Sequence, residues 1–434
     1  MPRFAILPNG LRVLTEPLPG VRSVALGLLV AASPHEDPDD RPGLAHLTEH
    51  ALFCGTLTRS GTALSRMMDA AGGQIGGFVT RDYTCLQACV LDDYVTYALE
   101  LLGDILLNST FPEDALAREQ QAILREIGLD DDNPTTRVGQ LLKQTIWADH
   151  TLGRNICGAS SAVLAATRDD VVRFTSEHYT PDRMILAAAG AVDPELFEAQ
   201  AEDAFWRLSG ASRPRREAPC VATPGCRIET AAVSQAYFAI GVPVGAYTSP
   251  DRYALFVLNS ILGGSLSSRL LATLRDDIGL VYDISSELHA YRDAGVLVIQ
   301  GATEPDRLLP VLSLVFQELI ALADGSRPID EEELCTARRH LRGQHLLASE
   351  SSHSIMSRLL TQQFYFHRQL PADEIVSAIE TVSLDDLTRV VETGIIPALE
   401  GTAISAVVPD RADELTTELT EFLAAMGCLG RSAG

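Results

Sequence analysis

Positive charge is scarce in this 434-residue sequence, and lysine is almost missing: Lys143 is the only one. Lys and Arg together number 34 against 58 Asp and Glu, a net charge of −24. A field of that sign repels phosphate backbones and anionic lipid surfaces, so it argues against nucleic-acid or membrane-surface binding and favours neutral or basic partners. Long apolar runs are also lacking. None approaches the ~20 residues of a membrane span, and the opening MPRFAILPNGLRVLTE reads as a hairpin with no basic n-region and no apolar h-region. A cytoplasmic setting is the expectation. The eight cysteines contain no C-x-x-C pair, which excludes the usual sulfur-ligated zinc and leaves buried, reduced thiols as the expectation. Cys85 and Cys89 stand at metal spacing, but TCLQACV reads as a strand.

What is present is enough apolar residue for several cores, and it is written twice. VRSVALGLLV leads through a polar stretch into the helix GLAHLTEHALF; VSQAYFAIGVPV leads through YTSPD into the helix RYALFVLNSIL. VTRDYTCLQACVLDD is echoed by AYRDAGVLVIQGATEPD, and each continues into a long amphipathic helix. A period near 210 residues is too long for a solenoid and fits a duplicated domain. The expected class is α+β: two homologous domains, each a mostly antiparallel sheet packed with helices. The boundaries read as 1–208 and 225–434, joined by a Pro- and Arg-rich linker at 209–224.

In GLAHLTEHALFCGT the residues His46, Glu49 and His50 form H-x-x-E-H. Positions i and i+4 of a helix lie one above the other, so both imidazoles can reach one ion. Glu49, one turn from His46, can approach water at that ion. This is the reverse of the H-E-x-x-H signature, the inverzincin order. The rest of the helix is apolar, and three ionisable groups on an apolar helix need compensation, which a dication supplies. A catalytic zinc takes a third protein ligand. In PEDALAREQQAILREIGL, Glu119, Ile123 and Glu126 share one stripe, which makes its glutamates the best candidates. The second-half helix carries no His, Asp or Glu from Ala254 to Gly264, so it cannot repeat the chemistry.

The segment LPNGLRVLTEPLPGVRSVALGLLVAASPHEDPDDRPGLAHLTEHALFCGT resembles the opening of the pitrilysin/insulysin metallopeptidases, in the size class of their mitochondrial-processing-peptidase-like branch. The likeness continues in HTLGRNICGASSAVLAATRDDVVRFTSEHYTPDRMILAAAGAVDPE, ILGGSLSSRLLATLRDDIGLVYDISS and EEELCTARRHLRGQHLLASESS. The resemblance implies one Zn2+ per chain, held by His46, His50 and Glu126, which follows H-x-x-E-H by 76 residues. It implies Glu49 as the general base that takes the proton of the attacking water, and Glu119 as a supporting catalytic glutamate. It assigns Arg275 and Tyr282 to substrate binding and transition-state stabilisation. The function so implied is a zinc metalloendopeptidase acting on short or unfolded peptides.

One departure stands out. The family pattern has Asn-Ala-x-Thr on an edge strand that pairs with substrate, where this chain has Gly76, Gly77, Phe78 and Val79. One chain equals half of the long single-chain members, which implies a dimer, with Arg275 and Tyr282 acting on a site of the other chain. A homodimer and a heterodimer with a related subunit both fit. A different class of function is a non-catalytic or heterodimeric peptidase-like subunit that assists a sister subunit, for example in processing a peptide leader.

Overall fold

The computed structural model describes residues 2–70, 72–211, 220–410 and 412–425. The central part of the expected linker, 212–219, lies outside the described residues. The chain forms two compact units, each built around one mixed sheet.

The first unit holds six strands: β1 (Arg3–Ile6), β2 (Arg12–Pro17), β3 (Ser23–Val30), β4 (Gln74–Val79), β5 (Thr84–Leu91) and β6 (Met184–Gly190). Their order is β1-β2-β6-β3-β5-β4. The β2–β6 pair is parallel; the other pairs are antiparallel. The second unit holds β7 (Gly225–Thr230), β8 (Ala236–Val244), β9 (Val281–Ala290), β10 (Gly295–Thr303) and β11 (Ala403–Val408), in the order β7-β11-β8-β10-β9. Here β7–β11 is the parallel pair. Remove β1 and the two sheets match strand for strand, including the sense of every pairing. The duplication read from the sequence is therefore a duplication of topology, and the α+β two-domain expectation holds.

The run SVALGLLV is nearly all apolar because β3 is covered on both faces, where alternation would mark a half-exposed strand. Leu26, Leu28 and Val30 face a core that includes Leu47, Leu52 and Leu102. Ala25 and Leu29 face Ile355, Met356, Leu359 and Leu360 of the helix Ser352–Phe366. Between them, a Cβ at Gly27 would stand 2.2 Å from Met356 Sδ, so this position brings the helix down onto the strand. The second sheet repeats the device: Gly241 of β8 lies under Leu142 of the helix Pro134–Ile146, which buries Val138, Leu141, Leu142 and Ile146 on that sheet.

These two covering helices come from the opposite sequence halves. The first unit comprises Met1–Gly128, Arg154–Glu217 and Leu346–Pro371; the second comprises Leu129–Gly153, Ala218–His345 and Ala372–Gly434. The halves expected at 1–208 and 225–434 thus differ from the compact units by one exchanged segment each way. The reason is apolar burial: each exchanged helix covers a face of the other half's sheet.

The expected burial of the thiols needs correction. The described cysteines are free, but only Cys85 is buried; Cys89 is exposed and the others are half-buried. Cys85 and Cys89 do lie on β5, on the face covered by Ser352–Phe366. That helix starts beside Gln87, which pairs with His353 at 2.9 Å; Cys89, two residues on, is exposed. Among the described residues no helix is long and apolar enough to cross a membrane.

Candidate metal centre

The helices next in sequence after β3 and β5 are α1 (Leu44–Leu52) and α2 (Gly61–Ala70), then α3 (Val95–Asn108), α4 (Glu113–Asp132) and α5 (Pro134–Ile146), the last of which belongs to the second unit. The site is made by α1 and α4, with β4 alongside α1. Leu44, Ala45, Leu47, Ala51 and Leu52 bury one side of α1 in the core, which turns His46, Glu49 and His50 to its other side. On α4, Ile123 is fully buried between Glu119 and Glu126, so the Glu-Ile-Glu stripe is a core contact flanked by two carboxylates.

The geometry converges on one point. His46 Nε2 lies 3.8 Å from Glu126 Oε2, and His50 Nε2 lies 3.8 Å from Glu126 Oε1. The imidazole rings stand edge to face, 4.7 Å between centroids. One ligand atom from each of His46, His50 and Glu126 falls within 4.8 Å of the other two. Separations of 3.8 Å are too long for hydrogen bonds and close to the roughly 3.4 Å between tetrahedral ligand atoms at zinc–ligand distances of about 2.0–2.1 Å. His50 Nδ1 lies 3.1 Å from Glu119 Oε2. That contact places the proton on Nδ1 and leaves Nε2 free to bind a metal, the usual arrangement of an outer carboxylate behind a ligating histidine. His46 Nδ1 is buried without a partner among the described residues. The donor set therefore fits a zinc ion.

Glu49 is 5% exposed, with Oε2 3.9 Å from His50 Nε2. Burial pushes its carboxyl up to about 7; Glu126 and Glu119 push the same way and His50 opposes. Burial also lowers His46 to about 4, with His50 adding to the effect. The imidazole is thus neutral, as a ligand must be, at any pH above the acid range.

Two contributors carry no signal that motif spacing reveals. Asp37, in the loop before α1, accepts backbone N–H bonds from Gly43 and Ala45, both at 2.7 Å. Gly77 of β4 stands against Glu49: a Cβ there would be 2.2 Å from Glu49 Oε1. The sequence shows Gly77 only as a departure from a pattern, and Asp37 as one acid in the run HEDPDD.

The insulinase family of peptidases, family M16, matches residues 12–160, and the peptidase M16 inactive domain matches residues 165–341. The chain belongs to peptidase family M16. Among its relatives, a protein of Streptomyces coelicolor named as an uncharacterized zinc protease is 33% identical over 397 residues, covering 89% of this chain and 86% of its own. A Bacillus subtilis protein, also named as an uncharacterized zinc protease, is 33% identical over 384 residues, covering 87% and 91%. Solved structures share the fold. One is of a peptidase M16 inactive domain from Pseudomonas fluorescens (TM-score 0.87, 21% identity, covering 95% of this chain and 98% of that one). Another is of a protease from Helicobacter pylori (TM-score 0.87, 19% identity, 94% and 100%).

In this M16 chain the remaining candidates, Arg275 apart, fall on sheet edges. Gly76, Gly77, Phe78 and Val79 lie on β4, which among the described residues pairs only with β5, and Phe78 is exposed. Tyr282 lies on β9, the edge strand of the second sheet, and is 87% exposed. Arg275 lies in the π-helical segment Leu271–Asp277, paired with its neighbour Asp276 at 2.7 Å and within electrostatic reach of Tyr282. The Arg-Tyr pair is one local feature of the second unit. The helix Arg252–Leu262 occupies the place of α1 after β8 and carries no metal-binding side chain.

Proposed function

We propose that this chain is a zinc metalloendopeptidase with one Zn2+ per chain, held by His46, His50 and Glu126. The observation that carries the reading is the pair of 3.8 Å approaches from the two imidazole Nε2 atoms to the two oxygens of Glu126, with the buried Glu49 carboxylate beside them. A zinc ion held there supplies Lewis-acid polarisation of the scissile carbonyl and makes water acidic enough to be deprotonated near neutral pH.

The side chains do the rest. Glu49 takes the proton of the attacking water and delivers it to the leaving amine, from a buried position beside the two imidazoles. Glu119 fixes the His50 tautomer and ring plane. The open N–H and C=O groups of β4 at Gly76–Val79 pair with an extended peptide, which selects short or unfolded substrates. Arg275 and Tyr282 bind substrate and donate hydrogen bonds to the oxyanion, each worth about 3 kcal/mol. They do so from the partner chain of a dimer. An assisting, non-catalytic subunit would have no need of the ligand geometry kept here.

Metal analysis and a chelator-sensitive peptide digest test the centre. Wild type should carry one zinc per chain, and Glu126→Gln should lose most of it. Full occupancy in Glu126→Gln would remove that residue from the ligand set. Mixing the inactive variants Glu49→Gln and Tyr282→Phe tests the dimer, because one site of each mixed dimer then has both wild-type groups. No recovered activity after demonstrated subunit exchange would overturn it.

A further inference from the structure

We infer that Asp37 is a positioning residue for the metal helix: its buried carboxylate sets the first turn of α1 and thereby the place of His46.

His46 is only the third residue of α1, inside the turn whose N–H groups have no partner within the helix. A first turn left in that state frays, and fraying moves the imidazole. The residue at the N-cap is Gly43, which has no side chain to cap with and sits at φ +94°. No other residue can take that role, since a Cβ at Gly43 would meet the carbonyl oxygen of Cys157 at 2.5 Å. Asp37 fills the gap from six residues upstream. Its Oδ2 accepts the Gly43 N–H and its Oδ1 accepts the Ala45 N–H, each at 2.7 Å. Two orphan donors on either side of Leu44 are thus held by one rigid carboxylate, one residue before the ligand.

The carboxylate is itself held. Asp37 is 6% exposed. The adjacent Glu36 accepts the backbone N–H and the hydroxyl of Ser33 at 2.9 and 3.1 Å through Oε2, and pairs through Oε1 with the half-buried Arg183 at 2.6 Å. Arg183 also donates to the carbonyl of Ala31. The turn after β3 is pinned by Glu36, and the start of α1 is hung from that turn by Asp37. An acid whose two oxygens go to two amides of the metal helix, on a loop fixed by a second acid, acts on the position of the helix.

The inference rests on the reading that His46 and His50 hold zinc, and two measurements separate the two. The first is amide hydrogen exchange at Gly43 and Ala45 in metal-free protein, which needs no metal. The second is the zinc dissociation constant from chelator competition, at a temperature where circular dichroism shows every variant folded. Asp37→Ala should speed exchange at both amides by tenfold or more and weaken zinc by about 10–100-fold, the range for outer groups that orient ligands. Asp37→Asn keeps the shape and one acceptor oxygen, so it should fold and fall between wild type and Asp37→Ala. Asp39→Asn, at a side chain 94% exposed, should change neither. Faster exchange with unchanged zinc affinity would reduce Asp37 to a structural cap, and unchanged exchange in both Asp37 variants would overturn the inference entirely. If wild type and His46→Ala bind zinc equally, the metal reading fails instead, while the exchange data still decide whether Asp37 holds the helix.

Discussion

Gly77→Ala, which puts back the residue that the family pattern carries at this position, is the smallest change that should move Glu49 in this chain without touching a ligand. A Cβ added to Gly77 would stand 2.2 Å from Glu49 Oε1, 2.9 Å from Cδ and 3.0 Å from Cγ. Ordinary contact begins near about 3.5 Å, so the carboxylate must retreat by more than 1 Å. Glu49 can do so by leaving its rotamer, at about 0.5–1.5 kcal/mol, and then points away from where the water must lie. Misplacing a reacting group by about 1 Å costs on the order of 100-fold in rate, equivalent to about 2.7 kcal/mol of barrier. Gly76→Ala is the matched control, because a Cβ there meets nothing within 4 Å, and both residues sit on the same edge strand in register with β5. The assay is steady-state hydrolysis of a quenched peptide at saturating zinc, with zinc content and melting temperature measured in parallel. Gly77→Ala should lower kcat by 10–100-fold with KM and zinc content little changed, while Gly76→Ala stays within about twofold. Wild-type kcat in Gly77→Ala would refute the reasoning. Equal losses in both variants would place the effect in strand stiffness and refute it as well.

Other perturbations read other parts of the site. Glu119→Gln keeps a group beside His50 Nδ1 but removes its charge, so zinc affinity should fall by about 10–100-fold in chelator competition; an unchanged constant would detach Glu119 from the site. The raised Glu49 carboxyl makes the metal-free protein pH-sensitive. Below its unfolded value of 4.5 the acid is protonated in both states; between 4.5 and about 7 only the unfolded state ionises, so stability falls as pH rises through that window. Metal-free Glu49→Gln lacks this loss. Urea unfolding should therefore show it gaining on wild type by up to about 3 kcal/mol between pH 4.5 and pH 8, and a constant difference across that range would count against the burial effect.

Much of the site was legible because its chemistry is local. His46, Glu49 and His50 are fixed relative to one another by one helical turn, and Glu119 and Glu126 by two, so the periodicity of α1 and α4 told which side chains share a face. What a single sequence could not give was the approach of α4 to α1. A family resemblance supplied that pairing; in the structure Glu126 lies 3.8 Å from each imidazole Nε2 and Glu119 3.1 Å from His50 Nδ1. Gly77 and Asp37 lay beyond reach for a different reason: one acts by having no side chain, the other through backbone amides, and neither leaves a pattern of residue types.

The fold shows the same division. The paired runs β3 with α1, and β8 with the helix Arg252–Leu262, announced the duplication, because strand, turn and helix are adjacent in sequence. The exchange of covering helices was hidden, since α5 and Ser352–Phe366 are amphipathic wherever they pack, and amphipathicity names a face without naming the partner. Gly27 and Gly241 carried the only trace of it. A glycine in the middle of each central strand weakens that strand unless something approaches closely, and in each unit the approaching element is the helix from the other half. That exchange bears on the divergence of the two copies. Each sheet needs a helix from both halves, so the second copy had to keep its topology and its apolar faces even as its counterpart of α1 carries no ligand. Structure constrains both copies equally; the metal chemistry proposed for His46, Glu49, His50 and the α4 glutamates would constrain only one of them.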